Sequence, residues 1–292
     1  MNISTRLSLI ALMACLSLPA QAHRSWMLPS ATILAGDTPW ITVDAAVSND
    51  IFYFEHFPLQ IEGVGEPLVR MGADGKPMPQ RPRAKLQVLR PDGSSAEPKY
   101  GNTGRYRSTF DVELDQKGTW KLAIANQGLF ASYQLDGERK RVSGTEAEIK
   151  KALPKKAENL EVISNTSRME VFVTAGAPTD ELLMPTGKGL ELLPQTHPND
   201  LVQGETARFV FVLDGQPATG VKVTLIPEGI RYRDNLEESE LVTNAQGEIQ
   251  IDWPRPGMYW LQATSNRAVT DPKSFATQRR DSYTATLEVM AP

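Results

Sequence analysis

After Ala31, apolar and polar residues alternate over short runs separated by turn-forming residues. Pro39-Trp40-Ile41-Thr42-Val43-Asp44-Ala45-Ala46-Val47 is rich in β-branched and aromatic residues and reads as a strand. Ser48-Asn49-Asp50 is a turn-prone trio, and Ile51-Phe52-Tyr53-Phe54 follows it as a second strand-like run. The stretch 72–83 is crowded with Gly and Pro and reads as loop. Alternation resumes at 84–90, ends at the turn Pro91-Asp92-Gly93, and returns at 106–114 and 118–125. Thr145-Glu146-Ala147-Glu148-Ile149-Lys150-Lys151-Ala152-Leu153 is the one segment with helix punctuation. It has a capping threonine, a glutamate three residues on and Pro154 beyond its end. Strand texture returns at 169–174.

Pro185-Thr186-Gly187-Lys188-Gly189 marks a boundary, beyond which strands at 206–213, 220–225, 248–251, 256–263 and 282–290 alternate with turns such as Asp214-Gly215 and Asn244-Ala245-Gln246-Gly247. Short strands at regular spacing predict an all-β protein of two β-sandwich domains, 23–186 and 187–292, with one short helix in the first domain or the linker. Trp26, Trp40, Trp120, Trp253 and Trp260 stand singly on separate strands and read as core.

The chain start changes this picture. Residues 1–6 are weakly basic, 7–18 are apolar, and Ala20-Gln21-Ala22 has the small-x-small pattern of a signal peptidase site. Cleavage after Ala22 predicts an exported, periplasmic protein of 270 residues that begins at His23. The only cysteine, Cys15, falls within that peptide, so the exported chain has neither disulfide nor thiolate ligand. Lipidation at Cys15 is the rival processing route, and it would leave His23 inside a peptide bond. A terminal His23 offers a metal both its α-amine and its imidazole.

Charge and composition then exclude classes. The net charge is −4, and −5 once Arg6 is removed with the leader, with no basic block, which argues against a nucleic-acid partner. After Leu18 no apolar run is long enough for a membrane helix. Arg139-Lys140-Arg141 is interleaved with glutamates and reads as a solvated face.

The pattern Asp214-Gly215-Gln216-Pro217, Gly220-Val221-Lys222-Val223, Gly247 and Pro256-Gly257-Met258-Tyr259 resembles transthyretin-like and carboxypeptidase-regulatory-like sandwich modules. Together with Ala22-His23-Arg24-Ser25-Trp26-Met27-Leu28-Pro29, the whole exported chain resembles a bacterial periplasmic family associated with nickel and cobalt uptake. That resemblance implies an envelope protein working beside a metal transporter or outer-membrane receptor. His197-Pro198 departs from it, because the family pattern often has Asn-Pro there.

The chain has three histidines, His23, His56 and His197. Singly, each reads as an ordinary packed or surface histidine. His23 and His56 together read as ligands for nickel, cobalt, copper or zinc, since imidazole and amine nitrogen suit these ions. His197, at the start of the second domain, joins them only if the domain interface brings it there. Asp44, Asp50 and Glu55 are the nearby carboxylates able to complete a site. The nine methionines form no repeated cluster, which favours Ni(II), Co(II), Cu(II) or Zn(II) over Cu(I).

For hydrolysis there is no Gly-x-Ser-x-Gly elbow, no His-Glu-x-x-His, no phosphate-binding glycine loop and no cysteine nucleophile, so no catalytic residue is assigned. The leading expectation is a periplasmic metal-binding accessory protein. One rival is a structural or adhesive sandwich module. The other is a copper-dependent oxidase, because an N-terminal histidine on a β-sandwich is similar in site, though not in sequence, to the copper centre of lytic polysaccharide monooxygenases and periplasmic copper carriers.

Overall fold

In strand Trp40–Ser48 the alternation becomes burial. Ile41, Val43 and Ala45 point into a core while Trp40 and Thr42 are exposed. From Ala45 onward every residue of this strand is buried, because its outer face passes beneath a second layer. A computed structural model describes residues 23–78 and 82–292. The expected signal peptide, its cleavage site and Cys15 lie outside the described residues.

The protein is almost wholly β, with one α-helix, Glu146–Ala152, among the described residues. Strands Arg24–Pro29, Trp40–Ser48, Ser108–Glu113 and Lys99–Thr103 form one sheet in that order, with Phe57–Pro58 added to Trp40–Ser48. A second small sheet joins Leu190–Pro194, Thr206–Leu213, Gln216–Pro217 and Glu248–Asp252. Both face a ten-stranded sheet that runs through the entire molecule. Its centre is the parallel pairing of Glu158–Ala175 with Gln278–Val289, from Ile163 opposite Gln278 to Val171 opposite Thr286. The two sandwiches therefore share one sheet, and the boundary near 185–189 is crossed by a hydrogen-bonded ladder.

Each sandwich keeps its own core. Met27, Ile41, Phe110, Trp120 and Val171 belong to a cluster drawn only from residues 27–175. Phe209, Phe211, Trp253, Leu261 and Tyr283 belong to one drawn only from 190–289. A third cluster stitches the halves together, where Trp26, Ala46 and Ile51 meet Ile226, Ile230 and Trp260. Full burial of side chains this size is worth about 1.5–3 kcal/mol each. The seam also holds a buried ionic chain. Arg168 lies 3.2 Å from Glu170 and 3.3 Å from Glu191, and Tyr283 donates to Glu170 at 3.0 Å. Burial raises the Glu191 carboxyl, but bonds from Thr186 and Lys188 and the charge of Arg168 outweigh it and hold it below the usual range.

The helix follows its punctuation. Thr145 and Glu148 form a reciprocal capping box, and Ile149 packs on Ala131 and Val162. Two expectations need correction. Residues 51–54 form a turn, with Phe52 at φ 61°, because Phe52 and Phe54 fold back onto the ring of Trp26. Trp40 is 39% exposed, standing under Lys99 and beside Tyr100 on the outer face. The expected strands at 118–125 and 169–174 are present as parts of longer ones, Gly118–Leu135 and Glu158–Ala175, which pair with each other along most of their length.

Candidate functional site

The site grows from the end of strand Trp40–Ser48. Arg24–Pro29 pairs along one edge, with Arg24 opposite Ser48 and Ser25 opposite Val47. On the other edge Ser108–Glu113 stops opposite Ala45, and Phe57–Pro58 takes over with Phe57 opposite Val47. His23 and His56 each immediately precede one of these flanking strands, so their side chains meet across the strand end. The two rings stack with centroids 4.0 Å apart and planes inclined by 24°. Phe57 backs both, at 4.5 Å from the ring of His56 and 5.6 Å from that of His23. Both histidines are exposed.

The platform beneath them is fixed. Trp26 donates its indole N–H to Ser48 at 2.8 Å, and the Ser48 hydroxyl donates to the Asp50 carbonyl. Glu55 Oε1 accepts the backbone N–H groups of Asn49 at 2.8 Å and Asp50 at 3.3 Å, capping the turn just ahead of His56. Trp260 Nε1 donates to the Ser25 carbonyl at 3.1 Å, tying the first strand to the C-terminal sandwich.

This arrangement bears directly on metal chemistry. An imidazole donates to a metal in the plane of its ring, and two stacked rings send their lone pairs out side by side. A turn of one ring about its side-chain torsions is needed before both nitrogens face one ion at about 2.0–2.1 Å. The carboxylates do not converge here. Asp44 accepts from Thr109 at 2.6 Å and pairs with Arg107 at 3.2 Å, while Glu55 is engaged in its turn. The Asp50 carbonyl, not its side chain, is what binds into this platform. Among the described residues no group of three or more His, Asp or Glu side chains is placed to hold one ion.

His197 is held apart. Its Nε2 lies 3.0 Å from the Thr119 hydroxyl and 3.2 Å from the Thr179 carbonyl. Its Nδ1 accepts the Asn199 N–H at 3.0 Å, which places the ring proton on Nε2. Burial lowers its pKa. Thr119 sits seven residues from Asn126 on strand Gly118–Leu135, and Asn126 lines the cavity beside His23. At about 3.3 Å per residue, that leaves the two places roughly 20 Å apart. The domain interface thus receives His197 as a bridge between threonines and does not bring it to the histidine pair.

A cavity of about 550 Å³ opens beside His23. Phe57, Leu59, Leu68 and Met78 supply apolar wall, and Arg70 and Arg83 supply charge. Arg70 stands 5.9 Å from the Phe57 ring centroid. Arg83 donates through Nη2 to the carbonyls of Val64 at 2.5 Å and Gly65 at 2.9 Å, and its buried Nε has no acceptor among the described residues. Reading residues 72–83 as plain loop passed over Arg83, and Arg70 stands just ahead of that stretch. The recurrence of Arg70, Lys76 and Arg83 through a Gly- and Pro-rich stretch of an acidic chain was the available signal.

Residues 20–267 match the family model described as a domain of unknown function, DUF4198. The chain belongs to the DUF4198 family. The match takes in the first sandwich, the histidine pair, the cavity and most of the second sandwich. No curated protein matches this DUF4198 chain. Among solved structures it is similar to trypsin-activated alpha-2-macroglobulin from Escherichia coli, at 16% identity and a TM-score of 0.21, over 91% of this chain and 16% of that one. It is also similar to the D0-D1 domain of intimin, at 13% identity and a TM-score of 0.20, over 89% of this chain and 96% of that one. A DUF3823 family protein from Bacteroides uniformis is similar at 11% identity and a TM-score of 0.22, over 88% of this chain and 99% of that one. The DUF4198 chain thus spans about a sixth of the macroglobulin's length.

Proposed function

We propose that the protein is exported to the periplasm, binds a divalent transition-metal ion there and presents it to an envelope transporter or outer-membrane receptor. Nickel, cobalt, copper and zinc are the candidates. The observation that carries the reading is the 4.0 Å approach of His23 to His56, two of only three histidines in the chain, from positions 33 residues apart. The imidazoles of His23 and His56 are the ligands, and cleavage after Ala22 adds the His23 amine. Borderline ions favour such nitrogen donors. The resemblance to the nickel- and cobalt-associated family points the same way.

Equilibrium dialysis of the exported protein against Ni(II), Co(II), Cu(II) and Zn(II) tests the reading. The native protein should bind at least one ion tenfold or more tightly than His56→Ala, or than a chain retaining Ala22 ahead of His23. The retained residue converts the amine to an amide and leaves the imidazole in place, so equal affinity there removes the terminus from the site. Acidification should weaken binding, since the donors must be unprotonated. Equal, weak binding by all three proteins sinks the proposal.

A second reading, as a non-enzymatic structural module of the envelope, draws support from the engagement of Asp44 and Glu55 in the fold and from the lack of a third side-chain donor for the imidazoles among the described residues. It requires that metal leave thermal stability unchanged. A rise of several degrees on adding metal would count against it, because a ligand of the native state stabilises by mass action. The copper-oxidase reading needs the same ring turn together with an open coordination position. Absence of oxygen consumption by the Cu(II)-loaded protein with a reductant eliminates it.

A further inference from the structure

The wall beside the histidine pair has a composition that a bare cation would not select. The chain carries 35 acidic and 31 basic side chains, yet the described residues lining the 550 Å³ cavity include Arg70 and Arg83 and no carboxylate. Neither guanidinium has a carboxylate partner within ion-pairing distance among the described residues. Arg83 commits Nη2 to the Val64 and Gly65 carbonyls and keeps a buried Nε–H that has no acceptor among the described residues. Arg70 is exposed at the rim, over Phe57, the ring that also backs His23 and His56. Gln60, Asn126 and Ser25 add neutral polar groups. Guanidinium groups recognise carboxylates through paired, charge-assisted hydrogen bonds. The volume falls in the range of sites for small organic molecules, about 300–1,000 Å³.

We infer that this cavity binds a small polycarboxylate, and that the metal is held as its complex. The ion would sit on the imidazoles of His23 and His56, and the free carboxylates of the organic acid would lie on Arg70 and Arg83. This inference rests on the metal-binding reading above. Two imidazoles satisfy only part of a divalent ion's coordination sphere, and the oxygens of a chelating acid complete it without further protein ligands. The complex of a divalent ion with a tricarboxylate carries net negative charge, which suits the two arginines where the bare cation would be repelled.

The test is equilibrium dialysis of the exported protein with labelled citrate as the probe acid, Ni(II) alone, and their 1:1 mixture. Citrate should be retained with Ni(II) in a 1:1:1 complex, at least tenfold more tightly than citrate alone. Arg70→Ala, at an exposed position whose loss leaves the melting temperature in place, should weaken retention of the complex about tenfold and leave the affinity for Ni(II) alone unchanged. Arg70→Lys should recover part of it. Retention of Ni(II) stripped of citrate, or an Arg70→Ala protein that holds the complex as wild type does, overturns this inference while the metal site stands. Citrate held equally with and without Ni(II) overturns the ternary complex and marks the cavity as an anion site. Retention of neither Ni(II) nor the complex overturns both readings.

Discussion

The indole N–H of Trp260 donates to the backbone carbonyl of Ser25 at 3.1 Å, across 235 residues of sequence. Trp260 belongs to the C-terminal sandwich, and Ser25 lies two residues from His23. Arg24 also places its guanidinium 5.7 Å from the Trp260 ring. The position of the first histidine is thereby set by the second sandwich. Trp260→Phe keeps an aromatic ring in the shared cluster but removes the donor and some volume. It should destabilise the protein by about 1–3 kcal/mol in urea unfolding. Metal affinity should fall with it even under conditions where the variant is fully folded. A destabilised variant with unaltered metal affinity would separate the two roles.

The seam between sandwiches is ionic as well as apolar. The side chains of Arg168, Glu170 and Glu191 are 12%, 4% and 3% exposed, and Arg168 bridges the two carboxylates. Removing its charge leaves buried Glu191 without a cationic partner and Glu170 with Lys121 alone, at 3.8 Å. Arg168→Met should cost about 3–5 kcal/mol, the range for breaking one side of a buried pair. Arg168→Lys restores the charge without the fork and should recover only part. Urea denaturation with matched slopes checks both values, and a loss under about 1 kcal/mol for Arg168→Met would show that the pair is loosely held.

His197 gives the fold a pH dependence. Burial depresses its folded-state pKa, so the unfolded chain takes up the proton first as pH falls. The bonds to Thr179 and the nearby charges of Asp180 and Asp200 oppose that shift without cancelling it. With the unfolded value at about 6.5, this contribution is complete above that pH and is lost as pH drops below it, through the folded pKa. The urea midpoint of the wild type should therefore decline between neutral pH and pH 5. His197→Ala should be less stable at neutral pH and show a flatter profile. Parallel profiles for the two proteins would remove His197 as the titrating group.

The local pattern revealed elements whose cause is local. Thr145, Glu148 and Pro154 mark the helix because capping is an interaction over three residues. Alternation at 206–213 marks a strand because one of its faces is buried. Where the cause is distant, the pattern falls silent. Strand Gly118–Leu135 continues through exposed Gln127 and Gly128 because Thr166 and Asn165 pair with them, over 35 residues away. Phe52 and Phe54 look like strand residues, and only the presence of Trp26 explains their turn. The same holds at the site. Residue chemistry singled out His23 and His56, but their approach depends on two registers, Arg24 opposite Ser48 and Phe57 opposite Val47. The sequence marks Arg70 and Arg83 as basic residues in a Gly- and Pro-rich stretch, but the wall they share exists only in three dimensions.

The parallel ladder between Glu158–Ala175 and Gln278–Val289 has a mechanical consequence. Nine residue pairs, from Ile163 with Gln278 to Val171 with Thr286, would have to come apart before one sandwich swung against the other. The molecule is a strut rather than a pair of jaws. A partner that grips the C-terminal sandwich thereby also fixes the heading of His23, whose adjoining strand is bonded to that sandwich through Ser25 and Trp260.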